Sequence, residues 1–160
     1  MPSTSVEEEF LYAVEDYCRW IEFDELGASD SLEVALGHLG ALYFSARKLK
    51  ETEDFDYPKF KELSHDDWKR IHNRLGMLPF QYCNEFFHPT NLNETDAVVG
   101  DICDDLADIY VDLKNDLILQ KSTTIEAASH YWKINYEIHW GRHAVSAMYA
   151  IHCHIADTVE

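Results

Sequence analysis

Apolar residues return every three or four positions along most of this chain, and nowhere does a strand-like alternation run long enough to compete with them. That spacing commits the sequence to helices. Ser5 followed by Glu8 forms a capping box, in which hydroxyl and carboxylate satisfy each other's backbone donors. Phe10, Leu11, Val14, Tyr17, Cys18 and Ile21 then predict a first helix from about Val6 to Phe23. "DELGAS" breaks it. Ser29 or Asp30 caps a second helix, whose Leu32, Leu36, Leu39, Leu42, Tyr43 and Leu49 keep one face to about Lys50.

"KETEDFDYPKFKEL" mixes charge with Tyr57-Pro58 and reads as a loop. A third helix starts at a Ser64 cap, with Asp67 in the capping-box position and Trp68, Ile71 and Leu75 on its apolar side. Gly76 and Pro79 interrupt the following stretch, and a short helix is expected from Pro79, since proline is tolerated in a first turn. After the connection "HPTNLNET", Thr95 or Asp96 is expected to cap the next helix. A last helix begins near Thr124 and continues to about Ala156, broken only by Gly141. There is no internal repeat and no low-complexity segment.

A chain of 160 residues with 46% apolar content makes one packed domain. The expected fold is all-α, a single-domain helical bundle of about five to six helices with a long C-terminal helix. That helix is apolar nearly all round, so it packs either within one chain or across a homodimer interface.

Charge sets the classes of partner. Thirty acidic residues against thirteen basic ones give a formal −17 at neutral pH. Nucleic acid and anionic membranes are bound through Lys and Arg neutralising phosphate, so both are poor partners. A basic protein or a metal ion suits the field better. "MPSTSVEEEF" lacks a basic leader followed by an apolar stretch, and no apolar run approaches the roughly 20 residues that span a bilayer; the expected location is cytoplasmic. Cys18, Cys83, Cys103 and Cys153 show no zinc-site or redox spacing and read as reduced core thiols.

The segment "GDICDDLADIYVDLKNDL" holds the densest charge. At 100° per helical residue, Asp101, Asp104, Asp105, Asp108, Asp112 and Asp116 fall within an arc of about 120°. Lys114 projects from the opposite side. Like charges at i,i+4 cost roughly 0.2–0.5 kcal/mol per pair on an exposed helix. Three environments accommodate the seam: solvent, cations from elsewhere in the fold, or a metal.

The last helix supplies the counterpart. In "YWKINYEIHWGRHAVSAMYAIHCH", His139 and His143 are spaced i,i+4, so both imidazoles share a face, and Arg142 lies about 100° away. Trp132, Tyr136, Ala147 and Ala150 share that face too, which also fits core histidines, each bonded to a single carbonyl or carboxylate. The polar stripe of Glu126, His130, Lys133 and Glu137 lies elsewhere, so the two histidines point inward. Meeting the aspartates, they form a polar cluster of Asp101, Asp104, Asp105, Asp108, Asp112, His139, Arg142 and His143. His152 and His154 diverge by about 200° and cannot converge from one helix, while His65, His72 and His88 read as surface residues. "NET" at Asn93 is a glycosylation pattern in form only. Phosphate loops, nucleophile-elbow serines and His-Glu-x-x-His motifs are absent.

"VVGDICDDLADIYVDLKNDL" with the later "AASHYWKINYEIHWGRHAVSAMYAIH" resembles the bacterial family called domain of unknown function 5063. The shared features are a Gly-acid-x-x-Asp-Asp-Leu-Ala-Asp-Ile-Tyr-x-Asp-Leu-Lys stretch and a Trp followed by His-Trp-Gly-x-His. "LPFQYCNEFFHP" and "FLYAVEDYCRWIE" are similar as well, so the likeness spans nearly the whole chain. It implies an all-helical fold and no assigned activity. The shorter "DDLADIYVDL" resembles the second metal-binding helix of the all-α nucleoside triphosphate pyrophosphohydrolases, which implies magnesium-binding carboxylates. That family also carries a Glu-x-x-Glu nearby, whereas here the matching Glu22 and Glu25 lie far upstream at a helix end.

Two functions fit. The favoured one is a non-enzymatic interaction module, inhibitor-, immunity- or adaptor-like, whose anionic surface binds a basic partner and which needs no cofactor. The alternative is a metal-dependent, phosphohydrolase-like site for Mg, Mn or Zn. It would use the Asp-rich helix with His139 and His143, and the ion's own ligands would be drawn from Asp105, Asp108, His139 and His143.

Overall fold

The structure is a computed structural model, and it describes residues 4–53 and 56–159. Its helices are α1 (Val6–Phe23), α2 (Ser31–Lys48), α3 (His65–Leu75), α4 (Ile102–Gln120), α5 (Ile125–Asn135) and α6 (Gly141–Thr158). A π-helical stretch, Tyr136–Trp140, joins α5 to α6, so Ile125 to Thr158 behaves as one long helix with a widened turn in it. Counted that way, the described residues form five helical rods.

The helix starts follow from their caps. Ser5 and Glu8 make both halves of the predicted box, and Ser64 with Asp67 makes the second. Thr124 accepts from the Ala127 amide. Asp30 sits at the α2 start without a side-chain bond to the helix. Removing a satisfied cap costs about 1 kcal/mol. Ser64→Ala is therefore expected to lower the melting temperature by roughly 2–4 °C for a chain of this size, read by circular dichroism; an unchanged transition would mean that packing alone holds the α3 start.

Between α3 and α4 the structure departs from the expected all-helical course. Tyr82–Glu85 and Val98–Asp101 pair as antiparallel strands β1 and β2, with Tyr82 opposite Asp101 and Glu85 opposite Val98. No helix starts at Pro79. Nor do Thr95 and Asp96 cap α4: β2 runs directly into it, and Asp101 becomes the cap, its Oδ1 accepting from the Cys103 amide at 2.8 Å. Gly100 leaves room for the facing side chains: a Cβ there would lie 2.6 Å from the Glu85 carboxylate and 3.2 Å from the Cys83 sulfur, so the end of Glu85 would have to shift.

Helix α4 is the hub, packing on α1, α3, α5 and α6, while α2 closes the other side against α1 and α6. Phe10 anchors the aromatic centre, its ring 5.3 Å from Trp132 and 6.3 Å from Trp140, both fully buried. The Tyr17 hydroxyl, also buried, donates to the Leu106 carbonyl at 2.8 Å and ties α1 to α4. All four cysteines are free. Burial pushes the Cys18 and Cys103 thiols up to about 12, which makes them packing groups rather than nucleophiles. Among the described residues no helix is long and apolar enough to cross a membrane.

Candidate metal centre

Because α4 and α6 pack side by side, the aspartate seam and the two histidines face one another. The His143 Nδ1 lies 2.6 Å from Asp105 Oδ1, and the His139 Nδ1 lies 2.5 Å from Asp112 Oδ2. With carboxylates as acceptors, each Nδ1 carries the proton and donates it. In the neutral ring the Nε2 is then left with a lone pair, whereas in the imidazolium both nitrogens carry protons.

A third group converges on the same place. Asp108 comes one helical turn after Asp105 and one before Asp112, and its Oδ2 is 3.8 Å from the His143 Nε2. One ligand atom each from Asp108, His139 and His143 lies within 4.8 Å of the others. The other Asp108 oxygen accepts from the Trp68 indole at 2.7 Å, which fixes the carboxylate plane. Two imidazoles and one carboxylate therefore surround a common point, and each of the three is held by a further hydrogen bond. That is the usual support of metal-ligating histidines, whose second nitrogen donates to a carboxylate and so fixes tautomer and ring orientation.

The π stretch lies at this meeting point. His139 lies inside it and His143 in the first turn of α6, and their rings meet edge to face with centroids 4.9 Å apart. Gly141 permits the widened turn, since a Cβ there would sit 2.5 Å from the Tyr136 carbonyl oxygen.

The Asp105–His143 pair carries electrostatic shifts on both partners, and an ion would have to displace a proton from it. Burial raises the Asp105 and Asp112 carboxyls, and their bonded histidines partly oppose the shift. His143 is raised mainly by its hydrogen bond to Asp105. Both directions mean that the Asp105–His143 pair keeps a proton to higher pH than the separate groups would. Asp105 Oδ2 is buried without a hydrogen-bond partner, while its Oδ1 lies against the His143 imidazole.

Several expected members fall elsewhere. Asp101 and Asp104 are not part of this centre; they face His72, whose Nε2 lies 2.9 Å from Asp104 Oδ1 and 3.6 Å from Asp101 Oδ2. His72 is thus a half-buried partner of the α4 start rather than a free surface residue. These three groups also sit within 4.8 Å of one another, but Asp101 Oδ1 caps α4 and its Oδ2 accepts from Gln81 Nε2 at 2.8 Å. Arg142 does not neutralise the seam, and it donates instead to the Phe87 carbonyl. Glu22 bonds the Tyr110 hydroxyl at 2.6 Å and pairs with Lys114 on the opposite side of α4, so no Glu22 carboxylate joins the aspartates. The magnesium-type carboxylate set does not assemble.

Asp116 ends the seam inside the core. It is fully buried, accepts from Asn135 Nδ2 at 3.4 Å, and leaves its Oδ2 without a partner. Burial, reinforced by Asp112, pushes its carboxyl well above the ordinary value of 3.8. A raised carboxyl stabilises the fold at pH below 3.8, and that contribution is lost as pH climbs from there through the folded value. Asp116→Asn is therefore expected to be more stable than the parent at neutral pH and to lose less stability as pH rises from 4. Urea unfolding at a series of pH values checks it, and parallel pH curves for the two proteins would count against it.

Trp68, Gln81 and the π stretch escaped the sequence reading. Trp68 gave only an apolar helical signal, and nothing in its spacing marks the indole N–H that holds Asp108.

Comparison with known proteins agrees with this architecture. A family model described as Domain of unknown function (DUF5063) matches residues 3–157. The crystal structure of protein BF1032 from Bacteroides fragilis superposes with a TM-score of 0.74 at 21% identity, covering 91% of this chain and 90% of that one, which establishes a shared fold. Comparison with curated proteins finds no match.

Proposed function

The chain belongs to the family described as Domain of unknown function (DUF5063), and from its own side chains we propose that it is a metalloprotein, with Asp108, His139 and His143 as the ligands of one divalent transition-metal ion. The observation that carries this is the convergence of those three ligand atoms within 4.8 Å while Asp105 and Asp112 hold the Nδ1 atoms. The proposed ligand set leaves out Asp105, expected among the ligands, because its Oδ1 lies 2.6 Å from the His143 Nδ1 and would orient that ring.

Two nitrogens and one oxygen suit zinc or iron better than magnesium, which takes oxygen ligands and keeps its waters. Three protein ligands leave coordination positions for water and substrate, as in catalytic rather than structural zinc sites. A bound ion would lower the pKa of its water and act as a Lewis acid. The reaction class that follows is metal-dependent hydrolysis. His139 is exposed at the rim, which leaves the ion an approach from solvent.

Equilibrium dialysis of EDTA-stripped protein against zinc, manganese and iron(II) tests the proposal. One ion per chain is expected, with Asp108→Asn and His139→Ala binding at least about tenfold more weakly. Trp68→Phe removes only the second hydrogen bond on Asp108 and is expected to weaken binding about 10–100-fold. If the parent binds no ion, or the variants bind as it does, the centre is a structural ion-pair network.

The net charge of −17 favours a second role, capture of a basic partner by an interaction module. Titration with a lysine- and arginine-rich peptide at low and at physiological salt tests it, and no binding at low salt would remove it.

A further inference from the structure

On the side of α6 that carries Arg142, Ser146 and Tyr149, a cavity of about 770 Å³ opens between α2, the segment after β1 and the π stretch. Its volume falls within the range that encloses a small organic molecule. Its chemistry contrasts with the rest of the chain. Arg47, Lys133 and Arg142 all line it, three of only thirteen basic residues, against two glutamates.

Both glutamates have partners. Glu137 pairs with Lys133 at 3.1 Å, and Glu85 accepts from the Ser146 hydroxyl at 3.0 Å. Lys133 and Glu137 balance one another, and the wall is left with two arginines against the single carboxylate of Glu85, which the hydroxyl satisfies without neutralising it. Arg142 spends one N–H on the Phe87 carbonyl and keeps the rest of its fork. Among the described residues neither guanidinium forms an ion pair with a carboxylate.

Aromatic rings supply the remaining surface. Phe86, Phe87 and Tyr149 are 44%, 54% and 71% exposed, and all three line this cavity. Tyr43 and Tyr136 meet edge to face on its inner side with centroids 5.5 Å apart. Single exposed aromatics are ordinary, whereas several gathered around one concavity mark a contact surface. Guanidinium forks match carboxylate and phosphate oxygens, and both guanidinium and rings stack on flat groups.

We propose that this cavity binds a small organic anion with a flat apolar body, its carboxylate or phosphate held by Arg47 and Arg142 and its body covered by Phe87 and Tyr149. The site is separate from the metal ligands and does not depend on an ion being bound. Tyr43 adds a polar contact: the Tyr136 hydroxyl, with help from Arg47, lowers its phenol.

Isothermal titration of the full chain in EDTA, with 2-naphthoate, 2-naphthyl phosphate and the neutral 2-naphthamide as probes, tests the proposal apart from the metal. At least one anion is expected to bind saturably, and the amide at least about tenfold more weakly. Which anion binds better tells carboxylate from phosphate. Arg47→Gln and Arg142→Gln are each expected to weaken binding by about ten- to a hundredfold, the effect of losing a charge-assisted hydrogen bond. Arg19→Gln, on exposed α1 surface, should bind as the parent does, and far-UV circular dichroism checks that the variants are folded. No saturable binding of either anion, equal binding of the amide, or parent affinity in either cavity variant overturns the proposal.

Discussion

Zinc at a hundred times its dissociation constant is expected to stabilise EDTA-stripped protein by about 2.7 kcal/mol, because an ion that binds only the folded chain contributes RT ln(1 + [L]/Kd). For a chain of 160 residues that corresponds to a rise in melting temperature of roughly 5–11 °C. Asp108→Asn should erase most of the rise at the same zinc concentration. The amide still offers an oxygen to the Trp68 indole, so the fold is kept while the anionic ligand is lost. His139→Ala should erase it too, and it leaves Asp112 without its imidazole. Asp104→Asn is the control, because Asp104 faces His72 and not the proposed ion. If zinc leaves every melting curve unmoved, or if Asp104→Asn loses the effect as fully as Asp108→Asn, the three groups are not the ligands.

Gly141→Ala is expected to destabilise the protein by about 1–3 kcal/mol, the usual cost of forcing a methyl into packed space. Helix propensity alone predicts the opposite, since alanine is favoured over glycine by about 1 kcal/mol in a helix interior. The contact decides the sign. The added Cβ would lie 2.5 Å from the Tyr136 carbonyl oxygen and 3.0 Å from two of its ring carbons, and the oxygen belongs to backbone that yields only if the π stretch rearranges. Rearrangement to an ordinary α-helical turn would rotate His139 relative to His143, so zinc binding should weaken along with stability. Thermal unfolding and dialysis of the same variant test both. A variant more stable than the parent with unchanged zinc affinity would show that the widened turn is dispensable.

These two positions illustrate what was legible beforehand. The i,i+4 pair His139 and His143 could be matched to the Asp seam from periodicity alone, because both follow from where apolar residues fall. Gly141 was visible only as an interruption. A π turn takes in one extra residue by bonding i to i+5, here the Gly141 amide to the Tyr136 carbonyl, and no spacing rule reports the close approach that leaves no room for a Cβ. Similarly, the four-residue strands Tyr82–Glu85 and Val98–Asp101 are shorter than any alternation that stands out from a helical chain. Their pairing sets Cys83 opposite Gly100, where the side chains of Cys83 and Glu85 occupy the space a Cβ would take. Consequently Asp101, expected on the seam, became a helix cap bonded to Gln81.

What the chain's own sequence determined is the set of helices: capping at Ser5, Ser64 and Thr124, apolar stripes at 3.6-residue spacing, and five aspartates, Asp104, Asp105, Asp108, Asp112 and Asp116, placed on one side of α4. Those are local properties, set by neighbours a few residues away. Tertiary packing decided which aspartate meets which cation. It gave Asp105 and Asp112 to the histidines, left Asp108 with an oxygen free to face both rings, and sent Asp101 and Asp104 to His72. It also turned Arg142 and Arg47 toward a shared cavity. Such choices depend on the rotation and offset of α6 against α4 and α2, and contacts between residues far apart in the chain set those quantities.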